Sequence, residues 1–366
     1  MKKIHLLIKP VSGNCNMRCA YCFYADETKN RETASYGKMT YDTMKCVIQK
    51  ALEAAEEECG FTFQGGEPTL AGIDYFRMFI KTVQELNARN ITVQYNLQTN
   101  GYELDEEWYP FLKENDFLVG ISLDGTQKIH DRWRVDIHGQ GTYKKVCQTI
   151  DKMRLYQIRF NILSVVTGTS ARHASEIYRY FKENNIYYQQ YIECLDPLGE
   201  APGKYGFSLT PQRYEYFLKS VFDCWYHDMR QGNYVYNRYF MNLLVILSGG
   251  QPESCNIRGS CGLQWVIEAD GSVYPCDFYV LDNWKLGNLK ENSWEEINNR
   301  RKELLFVDFS KKIPEECGKC EWFYLCRNGC RRNCVDTPEG ERGKNYYCDA
   351  YRNFFMYAVP RLQELI

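Results

Sequence analysis

Short apolar runs alternate with longer amphipathic stretches over the first two hundred residues of the chain. The apolar runs have the length of buried strands, and the stretches between them repeat apolar residues at helical spacing. The predicted strands are Ile4–Val11, Phe61–Gln64, Ile91–Gln98, Phe117–Leu123, Arg159–Val166 and Tyr188–Leu195. The predicted helices are Tyr41–Glu58, Ile73–Asn90, Glu106–Asn115, Tyr143–Tyr156 and Ala171–Asn184. This alternation predicts an α/β fold with six parallel strands, arranged as a partial barrel or as an open sheet.

Polar or glycine-rich turns follow five of the predicted strands. These turns are Cys15–Cys22, Gly65–Pro68, Gln98–Gly101, Ser122–Gly125 and Leu195–Pro197. In barrels and in open parallel sheets alike, functional loops gather at the carboxyl ends of the strands. The sequence therefore predicts one functional face that these turns share.

The pattern changes twice after the last predicted strand. Residues 201–248 are predicted to form a linker followed by two bridging helices, Pro211–Arg230 and Tyr234–Leu247. From residue 249 the chain is rich in cysteine and glycine and has little periodicity, which is typical of a small domain stabilised by metal. We therefore predict domains at 1–200 and 249–349, and a C-terminal helix within 350–366.

Composition and charge argue against nucleic-acid binding, secretion and membrane insertion. The 366 residues carry a net charge of −2, with 44% hydrophobic and 25% charged residues. This balance offers no basic surface for nucleic acid. Lys9 and Pro10 interrupt the first apolar run before it could serve as a secretion signal, and no run approaches the length of a membrane span. We expect a cytoplasmic protein that binds neither nucleic acid nor membrane.

Cysteine is abundant, with 17 residues in the chain. In a reducing compartment, clustered cysteines are more often metal ligands than disulfides. A secreted protein stapled by disulfides is the alternative, but it would need a signal peptide.

The first cysteine cluster holds three thiols, Cys15, Cys19 and Cys22, in the spacing C-x3-C-x2-C. Three thiolates can bind three irons of a [4Fe–4S] cube, which leaves the fourth iron open for a small molecule. A zinc knuckle or a set of reactive thiols is the alternative. With Tyr21 before the last cysteine, the spacing resembles the signature of the radical S-adenosylmethionine (SAM) superfamily. The turn Gly65–Pro68 resembles that superfamily's second motif, where a glycine backbone can approach the methionine group of SAM.

The second constellation contains eight cysteines in the last third of the chain. They are Cys255, Cys261, Cys276, Cys317, Cys320, Cys326, Cys330 and Cys348. Their spacing resembles the SPASM domain of radical SAM peptide-modifying enzymes. Eight ligands suit two fully ligated four-cysteine clusters and hence electron transfer, although a pair of zinc sites is the alternative. The spacing does not show how the eight divide, and Cys334 is interpreted as a spare thiol.

Longer motifs narrow the resemblance further. The segments 64–70, 97–101, 273–279 and 328–332 are together similar to the anaerobic sulfatase-maturating enzymes, in order along nearly the whole chain. The resemblance implies a partial (β/α)6 barrel, a SAM-binding [4Fe–4S] cluster and two auxiliary [4Fe–4S] clusters. It implies oxidation of a Cys or Ser in a segment of an unfolded sulfatase to Cα-formylglycine. An electron donor such as flavodoxin or ferredoxin would be a second partner.

The resemblance also implies roles for single residues. Asp277 would be the general base, held rigidly beside a cluster ligand and raised in pKa by apolar neighbours. The residues expected to contact SAM are Tyr21, Gly66, Ser122, Arg134 and Leu195, with Tyr21 and Leu195 acting through backbone or packing. The residues expected to line the peptide cavity are Tyr24, Gln64 and Asn100. For Asp277 the alternative is a solvated or capping residue, and for the others it is a core, surface or loop-packing residue.

Two other functions share parts of this pattern. Another SPASM enzyme, which crosslinks or epimerises a ribosomal peptide, would carry every cysteine motif. A cluster- or zinc-stapled scaffold or electron carrier would not need an incomplete three-cysteine site. The product formed from a Cys-x-Pro-x-Arg peptide distinguishes the two enzymes, and iron and sulfide analysis distinguishes enzyme from zinc scaffold.

Overall fold

A computed structural model of the protein describes residues 1–337 and 340–366. Its strands are β1 (Lys3–Ile8), β2 (Glu58–Phe63), β3 (Thr92–Thr99), β4 (Leu118–Ser122), β5 (Phe160–Val166), β6 (Tyr188–Glu193), β7 (Tyr236–Asn237), β8 (Trp265–Ile267), β9 (Ser272–Tyr274) and β10 (Gly287–Asn288). Its helices up to residue 250 are α1 (Phe23–Lys29), α2 (Tyr41–Ala54), α3 (Ile73–Leu86), α4 (Trp108–Glu114), α5 (Gln127–His130), α6 (Tyr143–Leu155), α7 (Ala174–Glu183), α8 (Pro211–Arg230) and α9 (Arg238–Leu247). The later helices are α10 (Cys255–Arg258), α11 (Trp294–Glu303), α12 (Phe306–Lys311), α13 (Glu315–Gly318), α14 (Phe323–Cys326) and α15 (Cys348–Gln363). Short 3₁₀ turns cover Pro68–Ala71, Ser170–His173, Asp277–Tyr279, Asp282–Trp284 and Arg331–Asn333.

The chain forms two compact units, each built from separate segments. The first unit contains Met1–Ser122, Arg134–Phe160 and Leu263–Leu304. The second unit contains Leu123–Trp133, Asn161–Gly262 and Leu305–Ile366.

The sheet of the first unit has the strand order β10-β9-β8-β1-β2-β3-β4. Strands β8, β1, β2, β3 and β4 are parallel, whereas β8, β9 and β10 are joined as antiparallel neighbours. Leu6 in the middle of β1 lies opposite Phe61 on one side and Trp265 on the other. The short strands β8–β10 therefore extend the sheet at the edge of β1 and bring a late part of the sequence beside its first strand.

Aromatic side chains fill the core between this sheet and helix α3. Phe61 and Phe63 from β2 both pack edge-on against Phe79 of α3, with ring centroids 5.0 and 4.8 Å apart. All three side chains are fully buried. Burying a large apolar side chain contributes about 1.5–3 kcal/mol, so this cluster fixes α3 on the sheet.

The second unit contains the parallel strands β5, β6 and β7 together with helices α8, α9 and α15. Phe222, Phe240 and Phe354 bring the three helices together, with ring centroids 5.4 to 5.8 Å apart. Helix α8 begins where its sequence predicts, because Thr210 accepts a hydrogen bond from Arg213 N and Pro211 occupies the first turn. The final helix packs on α8.

All six predicted βα strands are present within a few residues of their predicted bounds, while three helices differ from their predicted bounds by four residues at one end. Helix α3 ends at Leu86 instead of Asn90, and the Asn87 side chain bonds to the backbone of Ile91 just beyond it. Helix α2 ends at Ala54 instead of Glu58, because Glu56 N and Glu57 N bond to Met1 O and Lys2 O at the entry to β2. Helix α9 starts at Arg238 instead of Tyr234, since Tyr236 and Asn237 pair with β6. In α2 and α9, strand pairing outweighs local helix propensity.

Candidate active site

The three-cysteine loop follows β1 and leads into helix α1. The Cys15 sulfur accepts hydrogen bonds from Met17 N at 3.4 Å and from Asn100 Nδ2 at 3.6 Å. Burial, with Glu67 nearby, raises the pKa of the Cys15 thiol to about 11, and Cys22 is close enough to add to the effect. A thiol that is neutral on its own becomes a thiolate when a metal centre compensates its charge. These residues therefore fit a metal cluster rather than reactive free thiolates.

No three histidine, cysteine, aspartate or glutamate side chains among residues 1–337 and 340–366 converge on a position for a single metal ion. A [4Fe–4S] cube does not require such convergence, because each thiolate binds a different iron. The donor set of three cysteines thus fits the open cube that the sequence predicts.

The glycine turn Gly65–Pro68 packs directly on this loop. Gly66 has φ +50°, and a Cβ atom there would lie 2.1 Å from Asn14 O. Glu67 N donates to the same Asn14 carbonyl at 2.8 Å. Glycine is thus required at position 66 by the backbone of the cysteine loop.

Glu67 connects the turn to the end of β3. Its Oε1 accepts hydrogen bonds from Thr69 N, Thr69 Oγ1 and Thr99 Oγ1, and its Oε2 accepts one from Asn100 N at 2.7 Å. Asn100 Nδ2 in turn donates to Asn16 Oδ1 at 2.9 Å. Sequence reasoning used Glu67 only as part of a motif, although a glutamate in an apolar turn between two strand ends already indicates a buried anchor.

Tyr24, Gln64 and Asp277 lie together, although they are far apart in the sequence. Asp277 Oδ2 accepts hydrogen bonds from Tyr24 Oη at 2.6 Å and from Gln64 Nε2 at 3.1 Å. Asp277 Oδ1 is buried and has no hydrogen-bond partner in the described part of the chain. Burial raises the pKa of Asp277, and Lys9 and the Tyr24 bond oppose the rise. Burial also raises the pKa of Tyr24 well above its usual value, so that its hydroxyl stays a donor.

A cluster of buried charges surrounds this group and was not predicted. Lys9 Nζ lies 3.3 Å from Glu268 Oε1 and 3.6 Å from Glu27 Oε2. Arg31 pairs with Glu268 at 2.6 Å. Burial raises the pKa of Glu27 to about 8 against the pull of Lys9. The sequence signal is a lysine at the end of an apolar strand, Lys9, which interrupts the apolar run.

The remaining residues expected to contact SAM lie in both units. Arg134 donates to Tyr21 Oη at 3.0 Å, and both side chains are buried. The hydroxyl of Tyr21 is thus engaged by Arg134. Ser122 Oγ, at the end of β4, accepts from Gln98 Nε2 at 3.4 Å. Leu195 follows β6 in the second unit. The roles of these residues toward SAM stay predictions.

Two sets of cysteines in the second unit lie close enough to raise one another's pKa. The charges of Cys255 and Cys261 raise the pKa of Cys330, after burial as the main cause. Burial raises the pKa of Cys326 to about 12, and the charges of three further cysteines add to it. Those three are Cys317, Cys320 and Cys348. Cys276 belongs to the first unit, where it influences Arg301.

Cys334 is the remaining cysteine of this region. Its sulfur donates to Cys330 O at 3.4 Å and to Asn328 O at 3.5 Å. The Cys317 sulfur makes a similar contact with Asn328 Oδ1 at 3.7 Å, so such bonds do not distinguish a spare thiol from a cluster ligand. The interpretation of Cys334 as a spare thiol stays a prediction.

Two family models match the chain. Residues 10–181 match the Radical SAM superfamily, and residues 259–321 match SPASM, an iron–sulfur cluster-binding domain. Together with the cysteine groups and the α/β fold, these matches define a radical SAM enzyme with an auxiliary iron–sulfur domain. No helix among the described residues is both long and apolar enough to cross a membrane.

Sequence and structure similarity to known proteins identifies the family within this superfamily. The chain is 47% identical to a cysteine-type anaerobic sulfatase-maturating enzyme of Clostridium perfringens, over 99% of this chain and 98% of that protein. A serine-type enzyme of Bacteroides thetaiotaomicron is 28% identical over 98% and 90% of the two chains. The solved structure of native anSMEcpe with bound AdoMet and the Cp18Cys peptide has a TM-score of 0.94 at 45% identity, and the match covers 99% of this chain and 98% of that one. The chain belongs to the anaerobic sulfatase-maturating enzymes.

Proposed function

We propose that this enzyme oxidises a cysteine side chain of a sulfatase peptide to Cα-formylglycine. The Asp277 carboxylate is the observation that carries the proposal. One of its oxygens is held by Tyr24 and Gln64, and the other is buried without a hydrogen-bond partner in the described residues. An unpaired buried acceptor costs about 1–3 kcal/mol, which an incoming thiol would recover by donating its proton there.

Cys15, Cys19 and Cys22 would hold the cluster that binds SAM. Bound SAM would supply a 5′-deoxyadenosyl radical that removes a hydrogen atom from Cβ of the target residue. Asp277 takes the proton of the thiol, while Tyr24 and Gln64 keep its carboxylate in one orientation. The remaining electron would leave to an auxiliary cluster, and water would then hydrolyse the thioaldehyde to formylglycine and release sulfide. Asn100 and the Glu67 anchor hold the cysteine loop next to this site.

Two auxiliary clusters would complete a total of three [4Fe–4S] centres. Cys317, Cys320, Cys326 and Cys348 would hold one of them, because their charges act on one another. Cys255, Cys261 and Cys330 would contribute to the other, because the charges of the first two act on the third. Fully ligated clusters suit electron transfer, and a flavodoxin or ferredoxin would exchange electrons with them.

Sequence identity to the two types of relative supports cysteine rather than serine as the target residue. The chain is 47% identical to the cysteine-type enzyme and 28% identical to the serine-type enzyme, with similar coverage. We also retain as proposals a cytoplasmic location and the domain limits 1–200, 201–248, 249–349 and 350–366.

An anaerobic assay of the Asp277→Asn variant tests the proposal. The substrate is a Cys-x-Pro-x-Arg peptide, its serine counterpart is run in parallel, and products are identified by mass spectrometry. Losing a general base slows a reaction by about 10²–10⁴-fold, so formylglycine should nearly vanish while 5′-deoxyadenosine still forms. Asp74→Asn, which changes an exposed aspartate of α3, is the matched control. Formylglycine production by Asp277→Asn at the wild-type rate would contradict the role of Asp277, and a crosslinked product would contradict the reaction.

A further inference from the structure

Lys9 is a fully buried lysine that lies directly after β1. Its ammonium group lies between Glu27 and Glu268, and 4.9 Å from the centre of the Tyr24 ring. Lysine is rarely buried without a specific partner, because desolvation of its charge is costly. Glu268 already has Arg31 as an ion-pair partner at 2.6 Å. Neutralising the charge of Glu268 therefore does not by itself explain why Lys9 is buried here.

The contacts of Lys9 lead to Asp277 by two routes. Glu27 Oε1 accepts a hydrogen bond from Val280 N at 3.2 Å, directly after the 3₁₀ turn that begins with Asp277. Tyr24, which lies under the ammonium group, donates to Asp277 Oδ2. Lys9 thus lies beside two residues that fix Asp277. Glu27 holds the backbone of the turn, and Tyr24 holds the Asp277 carboxylate.

The glycine turn leaves room for this arrangement. A Cβ atom at Gly65 would lie 2.6 Å from both Cγ and Cε of Lys9. The lysine stem therefore passes beneath a position that has no side chain. On the other side, Lys9 N bonds to Ile267 O at 2.8 Å, which fixes the start of the side chain to β8.

We propose that Lys9 is a positioning residue for Asp277, a role that rests on the proposed function. Its charge holds Glu27 and the Tyr24 ring in place, and these two hold the turn and the carboxylate. Without the ammonium group, the carboxylate loses its fixed position relative to the target thiol, while the cysteine loop and the glycine turn keep theirs. A displacement of about 1 Å at a reacting group can cost about a hundredfold in rate.

Lys9→Met in the cluster-loaded enzyme tests this role, because methionine keeps much of the length and removes the charge. The assay measures formylglycine and 5′-deoxyadenosine from the same reaction with the Cys-x-Pro-x-Arg peptide. We expect the ratio of formylglycine to 5′-deoxyadenosine to fall at least about tenfold, through kcat rather than KM of the peptide. Formation of 5′-deoxyadenosine should stay within about twofold of wild type.

Lys9→Met/Glu268→Gln separates positioning from charge balance. The double variant removes one charge of each sign, so its thermal unfolding temperature should recover relative to Lys9→Met while the product ratio stays low. If Lys9→Met does not fold, the double variant alone decides the question. Recovery of the wild-type ratio in the double variant would show that Lys9 only balances charge, and would overturn the proposal.

Lys182→Met is the matched control in the second unit. Lys182 pairs with the buried Asp228 at 2.5 Å, and Tyr178 donates to the same carboxylate at 2.9 Å. This variant should lower the unfolding temperature but leave the product ratio unchanged. Wild-type enzyme that makes no formylglycine would contradict the proposed function. A wild-type ratio in Lys9→Met beside an active wild-type enzyme would contradict only the role of Lys9.

Discussion

Tyr24→Phe is the sharpest test of how the site holds its base. The change removes one hydroxyl, whose 2.6 Å hydrogen bond to Asp277 Oδ2 is the shorter of the two at that oxygen. The ring stays packed against Phe23, with centroids 4.0 Å apart, so the cavity keeps its shape. Gln64 remains as the second donor. The variant therefore isolates one hydrogen bond to a buried carboxylate.

The expected loss follows from the chemistry of that bond. A hydrogen bond to a charged group contributes about 1.5–3 kcal/mol, which corresponds to roughly ten- to a hundredfold in rate. Burial keeps the pKa of Tyr24 far above its usual value, so the hydroxyl donates at every working pH. Its bond also lowers the pKa of Asp277, so the loss in Tyr24→Phe should grow as the pH falls. Cleavage of SAM should persist, because the cysteine loop keeps its contacts with Asn100 and Met17.

The assay is anaerobic turnover of the cysteine peptide, with formylglycine and 5′-deoxyadenosine measured together. Tyr75→Phe is the control, since Tyr75 is also buried but bonds only to the Met39 sulfur at 3.3 Å among the hydrogen bonds of the described residues. It should change turnover by less than about twofold. Wild-type formylglycine production by Tyr24→Phe would refute the reasoning. So would an equal fall of both products, which would place the hydroxyl in the binding of SAM instead.

Three further predictions concern stability and metal content. Burial raises the pKa of Glu27 to about 8, above its value in the unfolded chain. The stability gained from protonated Glu27 is therefore complete only below the unfolded pKa. It is lost as the pH rises towards about 8. Glu27→Gln should flatten the fall of the unfolding free energy between about pH 5 and pH 8, whereas an unchanged slope would contradict this assignment. Glu67→Gln should lower the unfolding free energy by about 1.5–3 kcal/mol, because an amide NH₂ replaces an oxygen that accepts hydrogen bonds. Denaturant titration measures the loss, with Glu85→Gln, a change of an exposed residue of α3, as the control. Cys330→Ala should reduce iron from about twelve to about eight per chain and Cys334→Ala should leave it near twelve; equal losses would refute the cysteine groups.

The sequence predicted the strands more accurately than the helix ends. Alternation of apolar runs and amphipathic stretches locates β1 to β6 within a few residues, because each strand is buried and bounded by a polar turn. The end of α2 was missed because the sequence Ala54–Glu58 favours a helix locally. Hydrogen bonds to Met1 and Lys2 determine the actual boundary, and no local pattern shows them.

The candidate site was predictable only through the family resemblance. The cysteine spacing indicates an iron–sulfur site directly, because a metal imposes its ligand count. Tyr24, Gln64 and Asp277 come into contact because β8 pairs with β1. A strand of only three residues gives too weak a sequence pattern to predict that pairing. Lys9 was overlooked for the same reason, since its partner Glu268 comes from that distant segment.

The pairing of β8 with β1 has a consequence for the synthesis of the enzyme. The carboxylate at position 277 and the edge of the first strand are completed by one segment, Leu263–Leu304, that leaves the ribosome after more than two thirds of the chain. Until then the edge of β1 is an open template for pairing with other chains. A nascent chain can thus hold the three-cysteine loop before it holds Asp277, so the group that directs the reaction is added last. For the same reason, a fragment that stops at residue 248 should expose the unpaired edge of β1 and aggregate.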